Sequence, residues 1–319
     1  MAKAKRVDPK DFFSSEEWAG LTRRSSWRGL ALVAHAWGLI FAAAAVAVVW
    51  PNPLTWVLAI MIIGTRQLGL AILMHDAAHG ALHPNLKIND WVAEWLCSAP
   101  VGASLARYRP YHLTHHRFAQ QPEDPDLVLS KPFPTTRKSL RRKIVRDLTG
   151  QTFYKQRVAP LVAVLLGRKG PDVVVGAILR GGSILSPAFL GSNAVLLAIA
   201  TLAGAPWAWV VFWIVPMAVW FPLVTRLRNI AEHAVVPDDS DPLRHARTTK
   251  ASWWERLLIA PYYVNYHVEH HMFMHLPCWR LPVAHKLLER KGVLGRMEVQ
   301  PGYLKVLAMA SARPERVPA

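Results

Sequence analysis

Four stretches of this chain, 29–50, 54–74, 183–202 and 207–224, are apolar on every side rather than along one face. A helix that is apolar all round is hidden from water all round. Each stretch comes close to the roughly 20 helical residues needed to cross a hydrocarbon core of about 30 Å, so each predicts a membrane span. The first and second are joined by 51–53 and the third and fourth by 203–206. Connections this short force two tight helical hairpins.

Between and after the hairpins the pattern is mixed. Residues 91–105 are apolar but too few to span, and Glu94 interrupts them, which predicts an interfacial or re-entrant helix. PLVAVLL from Pro160 and PDVVVGAIL from Pro171 are likewise too short and are expected to lie in the interface. The expected fold is therefore an all-α membrane protein, one domain over 1–319. It has four transmembrane helices in two hairpins (29–74 and 183–224) and a helical cap built from 1–28, 75–182 and 225–319.

Charge orients this arrangement. Seven Lys and Arg precede Gly29, sixteen lie between Lys87 and Arg180, fourteen follow Val224, and the two hairpin connections hold none. Short cytoplasmic loops collect Lys and Arg, so the termini and the cap are expected on the cytoplasmic side of a multi-pass protein. The net charge of +17 would also suit nucleic acid, but no nucleic-acid motif accompanies it. TTRKSLRRKIVR, within the basic run 131–157, reads as a helix lying against anionic headgroups, or as a docking surface for an acidic redox protein. No apolar signal segment opens the chain. Cys97 and Cys278 have no metal or redox spacing and read as free thiols.

The chemistry is carried by three histidine clusters: His75 and His79 in HDAAH, His112, His115 and His116 in HLTHH, and His267, His270 and His271 in HVEHH. Spacings of three and four place side chains on one helix face. Charge topology brings all three clusters to the same side of the membrane. Imidazole is the commonest neutral metal ligand, and eight exceed the three or four that one zinc takes. Two metals are expected, and a nitrogen-rich site poor in carboxylate suits iron and dioxygen.

The order of these clusters around a second hairpin resembles the membrane fatty acid desaturase and hydroxylase superfamily. So do YRPYHLTHH followed by PEDPDL, and APYYVNYHVEHH followed by LP, which are similar to its bacterial desaturase branch. The resemblance implies two iron ions held by the clustered histidines, with the di-iron centre itself as the catalyst. It also implies O2 as oxidant, a lipid acyl chain as substrate, an external donor of ferredoxin or cytochrome b5 type, and a bacterial inner membrane as location. In NIAEH it implies His233 as a ninth ligand and Asn229 as a contact through water.

A ligating imidazole donates its other N–H to a partner, usually a carboxylate. Asp76, Asp124, Asp126, Glu232 and Glu269 stand near enough in sequence to serve. Structural roles are expected for His35, His83, His245, His275 and His285. Arg66, the one cation inside a span, is left with backbone carbonyls, a buried water or a substrate group as partners. The favoured reaction is acyl desaturation. Hydroxylation of a lipid or carotenoid on the same scaffold is the alternative, and a zinc-dependent membrane hydrolase or receptor is the reading from another class.

Overall fold

The computed structural model describes residues 4–170 and 184–314. The described residues are mostly helical; their one sheet is a two-residue parallel pair, Thr248–Thr249 with Val299–Gln300. Among the described residues, three helices are long and apolar enough to cross a membrane: Arg28–Val49, Pro53–Ala78 and Trp207–His233. The expected third span is described as Pro187–Leu202. At 1.5 Å per residue its 16 residues reach about 24 Å, short of a full crossing. The first residue expected for that span, and PDVVVGAIL, lie outside the described residues.

Local chemistry makes the first hairpin. The Asn52 side chain accepts from the amides of Leu54 and Thr55, Pro53 opens the next helix, and Thr55 returns a bond to Asn52. This reciprocal cap turns the chain within three residues. The long helices pack closely where glycine permits it. A Cβ on Gly64 would sit 2.7 Å from Trp220, and one on Gly69 2.5 Å from the Tyr262 ring.

Two helices continue beyond the expected spans. Helix Pro53–Ala78 runs past Met74 to include His75, and Trp207–His233 runs nine residues past Val224. Neither LMHDAA nor TRLRNIAEH contains a breaker, so the helices continue after apolarity stops. The metal-binding candidates His75 and His233 thus ride on the last turns of the long helices.

The segment 91–105 is a broken helix. Leu86–Val92 continues through a π turn, Ala93–Ser98, and a 3-10 turn, Ala99–Val101, before Gly102 reverses it at φ +71°. Glu94 has a structural task there: its carboxylate accepts the Leu105 amide at 2.7 Å. A negative charge at the first turn of the HLTHH helix, Leu105–Phe118, satisfies an orphan N–H and the helix dipole together.

Arg66 has backbone partners. Its guanidinium donates to the carbonyls of Arg256 and Leu257 at 3.1 and 2.9 Å and lies 5.3 Å over the Tyr262 ring. Thr65 donates to Leu258 O at 2.7 Å, and Gln67 donates to Trp213 O at 2.8 Å in the π turn Val210–Ile214. Three consecutive polar residues of the second span therefore tie it to the end of helix Trp253–Leu258 and to the last span. Cys97 and Cys278 are buried free thiols.

Candidate metal centre

Nine histidines converge where the long helices meet the cap, and they sort into two groups. His75, His79, His112, His116 and His270 form the first; His115, His233, His267 and His271 form the second. Within each group the ligand atoms lie within 4.8 Å of one another. The sorting follows helix geometry. In HLTHH the residues four apart, His112 and His116, turn to one group and His115 to the other. In HVEHH the pair His267 and His271 joins the second group and His270 crosses to the first. Residues three and four apart lie about 60° and 40° to either side of the same line, so one short helix can serve two centres.

The nitrogens face each other as a cation would arrange them. In the first group Nε2 contacts run from His79 to His112 at 2.9 Å, His112 to His116 at 3.0 Å, and His116 to His270 at 3.0 Å. In the second they run from His233 to His267 at 2.9 Å, His267 to His271 at 3.2 Å, and His271 to His115 at 3.3 Å. One ring N–H cannot serve two facing nitrogens, so hydrogen bonding leaves both strings frustrated. His75 Nε2 is buried and has no hydrogen-bond partner among the described residues. With metal–nitrogen bonds of about 2.1 Å, neighbouring ligands on an octahedron stand about 3.0 Å apart, which these contacts match. The residues present fit a pair of metal ions.

Electrostatics favours the neutral, ligating form. His79, His112, His116, His267, His270 and His271 are all held below the usual imidazole range, first by burial and then by the neighbouring histidines and arginines. His79 is brought down to about 3. A neutral imidazole keeps its lone pair for a metal without first losing a proton.

The five carboxylates divide. Asp124 bonds His115 Nδ1 at 2.8 Å and is itself fixed by the amides of Asp126 at 2.8 Å and Gln120 at 2.9 Å. That leaves the His115 Nε2 lone pair directed at the second group. Glu232, clamped by Arg228 at 2.6 Å, lies 3.4 Å from His267 Nε2. Asp126 stands 3.8 Å from His115 Nδ1 and accepts the Tyr111 hydroxyl. Asp76 and Glu269 bond to groups other than the clustered imidazoles. Asp76 accepts the Cys278 amide at 3.2 Å, and Glu269 holds Thr248 and His285. Glu269 points to the opposite side of its helix from the clustered rings, which its position between His267 and His271 dictates.

Asn229 lines a void of about 20 Å³ with His115, His233 and His267, room for about one water. Among the other histidines, His35 meets the Tyr262 hydroxyl at 3.1 Å and His83 accepts the Asn85 amide at 3.0 Å. His285 serves Glu269, and His275 stands exposed with its ring 6.5 Å from that of His79. His245 is the surprise. It is buried, both its ring nitrogens lack partners among the described residues, its ring lies 5.3 Å from His271, and its carbonyl is 3.3 Å from His233 Nδ1. No spacing in the polar loop around it signals this.

Sequence decides the family to which this geometry belongs: the fatty acid desaturase profile matches residues 51–298. The chain belongs to the fatty acid desaturase family. Among similar proteins is the beta-carotene ketolase of Paracoccus sp. (strain PC1), 29% identical over 261 residues, covering 80% of this chain and 87% of the relative. The dihydrorhizobitoxine desaturase of Bradyrhizobium elkanii is 26% identical over 259 residues, covering 79% and 70%. The chloroplastic omega-3 fatty acid desaturase of Brassica napus is 24% identical over 299 residues, covering 87% and 71%. This desaturase-family chain is an oxidoreductase with a buried, histidine-rich site that fits metal and with helices suited to a membrane.

Proposed function

We propose that this protein is an O2-dependent di-iron enzyme of the membrane that introduces a double bond into a lipid acyl chain. Nine convergent imidazoles divided five and four between two adjacent groups carry this reading. His75, His79, His112, His116 and His270 would hold one iron, and His115, His233, His267 and His271 the other. Asn229 would act on the second through a water. Two irons, when bound, supply the oxidising chemistry that no side chain can. The residues do the rest: Asp124 keeps the His115 proton on Nδ1, Glu232 and Arg228 border His267 without exposing it to solvent, and burial excludes bulk water. Electrons come from an outside carrier of ferredoxin or cytochrome b5 type drawn to the basic cap. We place both termini and the cap in the cytoplasm of a bacterium, and read Pro187–Leu202 as the end of a fourth span.

Oxygen insertion is the second reading, favoured by the similarity to a beta-carotene ketolase. Both begin by removing hydrogen from an apolar chain, so product mass separates them. Incubation of the iron-loaded protein with O2, a donor system and membrane lipid is expected to yield product lacking two hydrogens. Product that gains oxygen instead would establish the second reading, and dependence on zinc without O2 would defeat both.

A further inference from the structure

A cleft of 290 Å³ lies between helix Arg137–Leu148, the segment 151–165 and the last turns of Trp207–His233. It shares the lining residues Leu129 and Asn229 with the void beside the second histidine group, so cleft and void are neighbours. One side is apolar. Met217, Phe221 and Thr225 recur every four residues as a stripe of the long helix, and Phe153 faces in with them. The other side is cationic: Lys143, Arg157 and Arg226, with no carboxylate among the described lining residues.

These cations differ in how they are satisfied. Arg226 is held by Asp147, which also takes the Thr152 hydroxyl, and Arg157 donates to Gly102 O at 2.9 Å. Lys143 forms no ion pair among the described residues, and the charges acting on it are Arg142, Arg146 and Arg226 against Asp147 alone. Burial and those arginines hold its ammonium below the usual lysine range. Four cations against one carboxylate already engaged leave unbalanced positive charge beside a sheltered cleft, which a bound anion would relieve.

We propose that this cleft is the substrate's head-group subsite. It takes an amphiphile whose carboxylate or phosphate sits at Lys143 and Arg226, whose apolar part lies on Phe153 and Phe221, and whose oxidised carbon is presented past Asn229. The proposal rests on the oxidase reading above and narrows it: a neutral isoprenoid offers nothing to these cations.

Equilibrium binding to the metal-free protein in neutral detergent tests it, with stearate, octadecyl phosphate and octadecanol as chain-matched probes. The two anions are expected to bind roughly tenfold or more tighter than the alcohol, a difference of about 1.4 kcal/mol. Lys143→Gln should erase most of that preference and Lys143→Arg should retain it. Equal affinity of all three probes for the wild type overturns the proposal, as does a Lys143→Gln loss that is the same for the alcohol. Whichever anion binds tighter names the source of the charge. With the iron-loaded protein, Lys143→Gln should raise KM for that anionic substrate while kcat holds. An unchanged KM would assign the subsite to a bystander membrane lipid and overturn its role for substrate. If the wild type oxidises none of the probes, the acyl reading fails while the binding series still reads the subsite.

Discussion

The first histidine group gathers five imidazoles and the second gathers four, and their surroundings differ to match. A void of about 20 Å³ beside the first is walled by Ile72, Tyr262 and Val264. The equally small void beside the second shares Leu129 and Asn229 with the large cleft and is bordered by Glu232. The two voids are alike in size, and only the one beside Asn229 shares lining residues with the large cleft. We propose from ligand number and from the neighbouring cleft that the second group is where an exchangeable position and a substrate meet, and that the first is the better anchored.

Ligand removal should expose this asymmetry most sharply. His233→Ala reduces the second group to three imidazoles, while His116→Ala leaves four in the first. We expect both to lose turnover by roughly hundredfold or more, beyond what loss of an outer partner costs. Metal analysis should separate them, with His233→Ala retaining about one ion per chain and His116→Ala close to two. Equal depletion would break the comparison.

Acid should act next most strongly, and on the second group's side. Burial first, then the nearby His115, bring buried His245 down to about 4, whereas the unfolded chain titrates it near 6.5. Between those values the unfolded chain holds a proton that the folded one lacks, so stability falls as pH is lowered from 6.5 towards 4. The metal-free protein is expected to lose on the order of 3 kcal/mol across that window from this group. Denaturation of wild type and His245→Asn at about pH 7 and about pH 4.5 measures it. An identical slope in both would show that His245 contributes nothing to the acid sensitivity.

A smaller effect is expected from Asp124→Asn, which leaves ring positions intact but weakens the orientation of His115. Affinity at the second group should drop by about 10- to 100-fold while the first keeps its own. Titration of the metal-free protein with cobalt(II), read in two visible-absorption phases, resolves the groups. A loss shared by both phases would show that the carboxylate supports the whole cap.

Much of this was legible in sequence, for identifiable reasons. Helical spacing and membrane topology bring HDAAH, HLTHH and HVEHH together, because periods of three and four and a run of about twenty apolar residues are strong local signals. The division into five and four was not legible: it depends on how His115 and His270 rotate out of their own clusters, which is set by the crossing of three helices. Helix ends were not legible at Met74 and Val224 because apolarity marks the membrane and not the helix, and here the helices continue into buried polar packing. Arg66 could be seen as costly but not assigned, since the carbonyls of Arg256 and Leu257 that receive it lie 190 and 191 residues away in sequence. His245 carries no pattern at all, and Lys143 shows in sequence only as one cation of the basic run 131–157. Their importance is one of location.

Asn229 gives the finest test of the second group. Its amide lines both the void and the cleft, yet it belongs to neither set of clustered imidazoles. Asn229→Leu is close in volume and removes the polar group that a water there would need, so metal content should stay unchanged and kcat should fall by about tenfold, the loss of one good hydrogen bond. Ile72→Val, on the wall of the void beside the first group, trims one methylene where no substrate is expected and should leave kcat within about twofold. A slower Ile72→Val together with an unaffected Asn229→Leu would reverse the assignment and make the five-imidazole group the one that works on the substrate.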